Sequence, residues 1–349
     1  MSMAANELSI ATLDAGDGAR WDDFVERCPE ATFFHRAGWK RIMEGVFGHR
    51  THYLLAERGG EIEGVLPLAH MKSLLFGNRL SSLPFCVYGG VAASSEAARE
   101  GLLAEAVRLA GDLGVASMEL KHVSRQCKDW PLKDDLYFTF KKAIADDDDA
   151  ILGEIPRKQR AMVRKGIKAG LEYEISSDAD QVYALYAESV RNLGTPVFSR
   201  KLFPMLVEVF GDRCELALVR HEGRPVASLL SFYFRDEVLP YYAGSIPEAR
   251  ALKAHDFMYW RSMCHARSTR GSRIYDFGRS KAGTGPFSFK KNWGFEPLPL
   301  QYEYWLREGE SLPELNPSNP KYRRVIDTWK RLPLPLANRL GPMLSRHLG

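Results

Sequence analysis

The chain has 349 residues, of which 45% are hydrophobic and 26% charged, with a net charge of +4. That length suits about two domains, and the composition excludes a disordered or fibrous chain. No apolar run approaches the length needed to span a bilayer. The five cysteines (Cys28, Cys86, Cys127, Cys214, Cys264) are odd in number and never form a C-x-x-C pair, so they suggest neither a disulfide framework nor a metal site. Met1 to Ala15 lacks the basic-then-apolar order of a signal peptide, and a cytoplasmic protein with reduced thiols is expected.

The first half opens with an amphipathic helical segment, Trp21 to Val25, and a short link at Phe33-Phe34. A strand, Tyr53 to Glu57, enters the glycine turn Arg58-Gly59-Gly60-Glu61, and a second β-rich run leaves it, the local signal of a hairpin. Val87-Tyr88-Gly89-Gly90 reads as the end of a third strand. A helix from about Ala97 to Leu113 stops at Gly114, and a strand follows at Ala116 to Leu120. Next comes the acidic run Asp146 to Asp149. Ile155-Pro156 then introduces a basic helix that ends near Ala169 and Gly170. Its six cations (Arg157, Lys158, Arg160, Arg164, Lys165, Lys168) either complement a helix macrodipole that begins in the acidic run or bind phosphate.

The second half repeats the first. Val46-Phe47-Gly48-His49-Arg50 and Val209-Phe210-Gly211-Asp212-Arg213 match at an offset of 163, which without a gap also lays Tyr53 to Glu57 on Leu216 to Arg220 and Gly60 on Gly223. Val182 to Tyr186 and Val197-Phe198 parallel the opening segments. Leu239 to Gly244 stands for the third strand, a helix runs from about Ala254 to Thr269, Gly271 stops it, and Arg273 to Phe277 is the last strand. Each unit is therefore expected to be helix, three antiparallel strands, helix, strand: an α/β fold with mixed sheets.

Candidate chemistry lies in the second copy. After its last strand the chain reads Asp276-Phe277-Gly278-Arg279-Ser280-Lys281-Ala282-Gly283-Thr284-Gly285, followed by Lys290 and Lys291. A loop with three glycines, hydroxyls and cations can turn backbone N–H groups onto a phosphate or carboxylate. The alternative is a flexible connection with solvated cations. Tyr241, Tyr242 and Ser245 sit where the third strand opens, and His255-Asp256 begins the next helix. Asp256 is either a carboxylate that complements the helix dipole or a general base for an attacking amine, with Tyr242 and His255 as the other proton-handling groups. No His, Cys, Asp or Glu spacing suggests a metal, and no tightly bound cofactor is expected.

The tandem repeat, Ile155-Pro156-Arg157-Lys158-Gln159-Arg160, and the Asp276-Phe277-Gly278-Arg279 segment leading into Phe289-Lys290-Lys291-Asn292-Trp293-Gly294 resemble the FemAB-like acyltransferases. The likeness is strongest to the branch associated with the exosortase/PEP-CTERM system of exopolysaccharide-producing Gram-negative bacteria, and it covers about residues 5 to 306. The resemblance implies two tandem GNAT-like (acyl-CoA N-acyltransferase-like) domains that transfer an acyl or aminoacyl group to an amine. It also implies a small-molecule or lipid-linked sugar or peptide acceptor from a cell-envelope or exopolysaccharide precursor. Ser245 to Lys253, where a GNAT phosphate loop would fall, has no glycine, so the donor stays open between acyl-CoA and aminoacyl-tRNA, tRNA being less favoured. Direct transfer needs no covalent intermediate, and no nucleophile-elbow motif is present. A silent module binding an anionic polysaccharide or lipid-linked sugar is the second expectation.

The expected organisation is a first repeat in 1–150, a basic helix in 151–170, a second repeat in 171–308 and a basic tail in 309–349. From Lys321 onward seven Lys/Arg face one acid, Asp327, which gives the tail +6 and leaves the rest at −2. Tyr322, Val325, Ile326, Trp329 and Leu332, then Leu336, Leu340, Met343 and Leu344, recur at three and four. The segment 321–349 is thus expected either to pack its apolar face on the second domain or to lie on an anionic membrane, which would place the protein peripherally on the inner membrane.

Overall fold

The computed structural model describes residues 7–14, 16–73, 77–313 and 320–348, with the side chains of 320–325 outside the description. The chain divides into two compact units, 1–135 with 300–315 and 346–349, and 136–299 with 316–345.

In the first unit, β1 (Ser9–Thr12), α1 (Gly18–Arg27) and α2 (Gly38–Gly45) precede the strands β2 (Arg50–Arg58), β3 (Glu61–Ser73), β4 (Gly77–Ser81) and β5 (Ala92–Ala93). Then come α3 (Glu96–Asp112), β6 (Ser117–His122) and the short β7 (Leu132–Lys133). Ala98, Leu102, Ala106 and Ala110, one residue per helical turn, bury α3 against Leu54, Leu66 and Leu68 of the hairpin.

In the second unit, β8 (Tyr137–Ala143), α4 (Asp148–Glu154) and α5 (Arg157–Lys168) lead to β9 (Glu172–Ser176), α6 (Ala179–Leu193) and α7 (Leu202–Phe210). The strands β10 (Cys214–His221), β11 (Arg224–Phe234) and β12 (Glu237–Ser245) follow, then α8 (Ala249–Leu252), α9 (Ala254–Arg270) and β13 (Ile274–Asp276). β14 (Ser280–Lys281), α10 (Gly285–Asn292) and β15 (Pro297–Pro299) come next. The chain then adds β16 (Gln301–Leu306) to the first unit and α11 (Pro320–Arg331) and α12 (Leu334–Ser345) to the second.

The offset of 163 holds pair by pair. Tyr53 faces Pro67 and Leu216 faces Leu230, and each ladder slips at the same place, between Ala56 and Glu57 or Val219 and Arg220. Each hairpin turns through two residues with positive φ, Gly59-Gly60 or Glu222-Gly223, a geometry that matches the twist of the flanking strands. The same offset lays β1 on β9: Ser9 pairs with Glu57, and Glu172 with Arg220. Each repeat thus opens with a strand that the apolar pattern does not announce, because β1 and β9 are edge strands without a fully buried residue. The second helices, α2 and α7, are likewise additions to the expected order.

Each sheet is completed by a strand from the far end of the other repeat. β8 pairs antiparallel with β13, and β16 with β6, giving the orders β14-β8-β13-β12-β11-β10-β9 and β1-β2-β3-β4-β6-β16-β7. A division by sequence at 150 and 308 therefore assigns 137–143 and 301–306 to the wrong sheets. Periodicity identifies a strand, but pairing partners are chosen in three dimensions.

The acidic run and the basic helix are also separate. Asp147 caps α4 through the Ala150 amide at 2.8 Å, Pro156 ends that turn, and α5 begins with Arg157 and Lys158 and has no acid in its first turn. The dipole account of the basic cluster fails at this end, since cations there oppose the helix N-terminus. α5 packs on α9, where a Cβ on Gly166 would stand 2.8 Å from Phe257 Cβ. All five thiols are free and buried, and burial pushes Cys127 and Cys264 up to about 12.

The tail divides in two. α11 buries Trp329 and sets Ile326 over Gly194 at the end of α6. α12 lays Ala337, Gly341 and Ser345 inward, and Ser345 Oγ donates to the Val197 carbonyl at 3.1 Å. The expected roles of Lys321, Tyr322, Arg323, Arg324 and Val325 lie outside the described residues.

Candidate active site

The two repeats treat one position differently. β12 and β13 are parallel, joined by α9, and pair only at Glu237–Ile274 and Val238–Tyr275. Beyond that, β12 runs on to Ser245 while the chain after β13 turns away, the Phe277 amide bonding to Phe140 O at 2.8 Å. Among the described residues no backbone hydrogen bond links 239–245 to 276–281. The sheet is open there, at the carboxyl ends of two parallel strands and the N-terminus of the connecting helix, where α/β sheets hold ligands. At the bend, Leu230 pairs with Tyr242 and Ser231 with Pro240, so Tyr241 is bulged out of the ladder.

In the first repeat the same opening is filled. The counterpart of β12 is broken into β4 and β5, and residues 82–91 loop out between them. Ser82 N bonds to Glu119 O at 2.8 Å, Gly90 N to Lys121 O at 3.0 Å, Lys121 Nζ to Leu83 O at 2.9 Å and Val91 N to His122 Nε2 at 3.0 Å. Val87 to Gly90, expected as strand, belongs to this plug. His122 Nδ1 lies 2.7 Å from the Glu303 carboxylate, which also accepts the amides of Gln126 and Cys127. This buried His–Glu pair resembles a catalytic dyad, yet both imidazole nitrogens are engaged, and it serves to close the first repeat.

Around the open cleft, the structure joins three of the expected segments. Asp256, in the first turn of α9, accepts the Trp293 indole N–H at 3.1 Å, which ties α9 to the end of α10. Burial pushes its carboxyl up to about 6, against the opposing effects of Trp293 and Lys253. A carboxylate poised there is ionised at neutral pH and basic enough to take a proton from an ammonium group. His255 stacks on Tyr259, and burial lowers its pKa, which keeps it neutral.

Lys290 connects α10 to the turn after β13: Nζ donates to the carbonyls of Gly278 at 2.8 Å and Arg279 at 3.2 Å, over the rings of Phe140 and Phe277. Burial pulls its ammonium down to about 7, with Arg279 adding to the effect and Asp276 opposing it. Asp276 is equally committed. Its Oδ1 accepts Gly278 N at 2.9 Å and Thr139 Oγ1 at 3.2 Å, and Lys141 stands 3.4 Å from Oδ2. Asp276 and Lys290, two of the candidate substrate-binding residues, are both buried and shape this turn, because a buried charge must find its partners within the fold.

The glycine loop is more ordered than its composition suggests. Ser280 and Lys281 pair with Phe138 and Tyr137 as β14, Ala282 N bonds to Leu136 O, and Thr284 Oγ1 donates to Lys281 O at 2.7 Å. Gly283 has φ +73°, which only a glycine adopts without strain, and Gly285 begins α10. Ser280 Oγ is buried with no partner among the described residues. The Arg279 guanidinium lies over the Tyr137 ring at 4.6 Å, and Lys291 is exposed. Tyr242 is buried among Tyr186, Phe198 and Phe203, and its face of β12 is the one α6 covers. The sequence marks Trp293, whose indole bonds to Asp256, only as part of the motif 289–294, since an N–H donor beside an apolar run leaves no periodic trace. Among the described residues no group of three His, Cys, Asp or Glu could hold a metal ion.

Comparison with known proteins agrees with this architecture. Residues 157–291 match the family model of the acetyltransferase (GNAT) domain. A crystal structure of FemX superposes with a TM-score of 0.67 at 16% identity, covering 91% of this chain and 100% of that one. The C-terminal domain of a putative lysylphosphatidylglycerol synthetase from Agrobacterium fabrum gives 0.58 at 14% identity, covering 83% and 92%. A tandem GNAT protein from the clavulanic acid biosynthesis pathway gives 0.53 at 14%, covering 88% and 100%. No curated protein matches the sequence. The fold is thus two tandem GNAT-like domains, and the segment that matches the GNAT model is the one that contains the open cleft.

Proposed function

We propose that the protein is an N-acyltransferase whose single site is the cleft between β12 and β13, with Asp256 as general base. The observation that carries this reading is the contrast between repeats: one cleft is plugged and hydrogen-bonded shut, while the other stays open beside a carboxylate raised to about 6. The amine nitrogen of the acceptor attacks the donor carbonyl, Asp256 takes the proton from the resulting ammonium, and the tetrahedral oxyanion collapses to an amide with cleavage of the carbon–sulfur or carbon–oxygen bond, the leaving thiolate or alkoxide taking that proton back from Asp256. Fixing the two reactants in one cleft supplies much of the rate.

The first-turn amides of α9, which a helix leaves without carbonyl partners, suit the phosphate or carboxylate of a substrate, and so do the cations Arg279, Lys281 and Lys291. An acyl-CoA donor fits a GNAT domain; an aminoacyl-tRNA donor is the alternative that the tandem arrangement supports. The acceptor we assign is an amine of a sugar or peptide in a cell-envelope or exopolysaccharide precursor, on the strength of the sequence resemblance. Incubation with acyl-CoA or aminoacyl-tRNA and amino-sugar or peptide acceptors, read as thiol or tRNA release together with amide mass, tests it. Tight binding of acceptor with no turnover from either donor class would overturn the reading.

A further inference from the structure

The outer face of α12 is unlike the rest of the described surface. Its inner face is made of small residues, Ala337, Gly341 and Ser345, one per turn, and a Cβ on Gly341 would stand 2.8 Å from Val197 O. This lets the helix lie flat on the segment after α6. The neighbouring face, centred about 110° round the helix axis, carries Leu336, Leu340, Met343 and Leu344, which are 42%, 37%, 67% and 37% exposed. Their positions, i, i+4, i+7 and i+8, form one stripe about 100° wide. Arg339, exposed, borders that stripe, and Lys330 and Arg331 are exposed at the end of α11. No acid occurs in α12. α11, by contrast, spends its described apolar residues on packing, through Ile326 and Trp329.

We propose that this face of α12 docks on an anionic lipid bilayer, lying in the headgroup interface with its four apolar side chains inserted and Arg339, Lys330 and Arg331 against lipid phosphates. No helix among the described residues is long and apolar enough to cross a membrane, so the contact is one of lying on the surface. A second copy of the chain is a poorer occupant. A self-complementary contact along the stripe would bring Arg339 toward its own counterpart with no acid on the helix to offset it. The cations favour an anionic surface, each adding attraction that salt screens. The surface does not depend on the transfer chemistry assigned to the cleft.

The test uses the full chain and sedimentation with phosphatidylcholine vesicles, with and without phosphatidylglycerol, at low and high salt. The wild type is expected to partition onto the anionic vesicles only. Leu340→Glu with Met343→Glu should lower the partition coefficient by more than about tenfold, and Arg339→Gln by several-fold, with a shallower salt dependence because Lys330 and Arg331 remain. All three side chains are exposed, so thermal melting should stay unchanged; if the double variant melts early, Arg339→Gln carries the test. Equal partition of wild type and variants would overturn the proposal. So would equal binding to neutral vesicles, or a dimer in ultracentrifugation that the double variant breaks while no vesicle binding is seen.

Discussion

Replacing Asp256 with Asn keeps an acceptor for the Trp293 indole N–H and removes a buried charge. Raising an aspartate from 3.8 to about 6 costs the ionised fold about 3 kcal/mol, at 1.36 kcal/mol per pKa unit. The folded chain binds this proton more tightly than the unfolded chain, so the wild type loses stability as pH rises from about 3.8 through 6 and carries the full cost above that. Asp256→Asn has no such cost. Its stability relative to wild type should therefore start near zero at pH 4 and climb to about 3 kcal/mol by pH 7, read from urea unfolding at each pH. Activity should move the other way: kcat/KM falls by about 10²–10⁴ in the variant. The wild-type rate falls as pH drops below about 6, where the base takes up its proton. A stability difference that does not change with pH would refute the burial argument, and wild-type turnover by the variant would refute the general-base role.

Lys290→Met removes both donors to the turn carbonyls and should cost about 2 kcal/mol, with faster proteolysis within 278–285. Because the folded pKa of Lys290 is lowered, the wild type should gain stability as pH rises from about 7 toward 10.5, and that gain should vanish in the variant's unfolding curves. Glu303→Ala strips the plug of the acceptor for His122 and two amides and should cost about 3–5 kcal/mol in urea unfolding. Burial works against the Glu303 carboxylate, but the bonds from His122, Gln126 and Cys127 outweigh it and hold its pKa below 4.5. Wild-type stability should accordingly fall as pH drops below 4.5, and the variant should lack that fall. Gly341→Ala sets a methyl group against the Val197 backbone, which cannot yield, and should release α12 at a cost of about 1–3 kcal/mol. Trypsin should then cut 320–345 before the sheets melt.

The plug makes the two repeats differ at the end of the third strand. Both copies keep the hairpin register, because alternating side chains bury one face and a slip of one residue would expose it. No such constraint holds the end of the third strand, where the ladder to the next strand stops in either copy. The first copy used that freedom to fold residues 82–91 into the opening.

The sequence by itself determined the repeat, the hairpins and the helices α3 and α9, and it pointed to the second copy for the candidate site. Each of these rests on local spacing: period two or 3.6, a glycine at a turn, or a match at constant offset. It also brought Asp256 forward, since a carboxylate in the first turn of a helix can be read from its neighbours alone. Only the tertiary structure decided which strand completes which sheet, that residues 82–91 are a plug, that Trp293 holds Asp256, and that Asp276 and Lys290 both bond to the turn at 278–279. These are contacts between residues far apart in the chain, and burial and hydrogen-bond partners, which set a charge's role and pKa, exist only once the fold has brought them together.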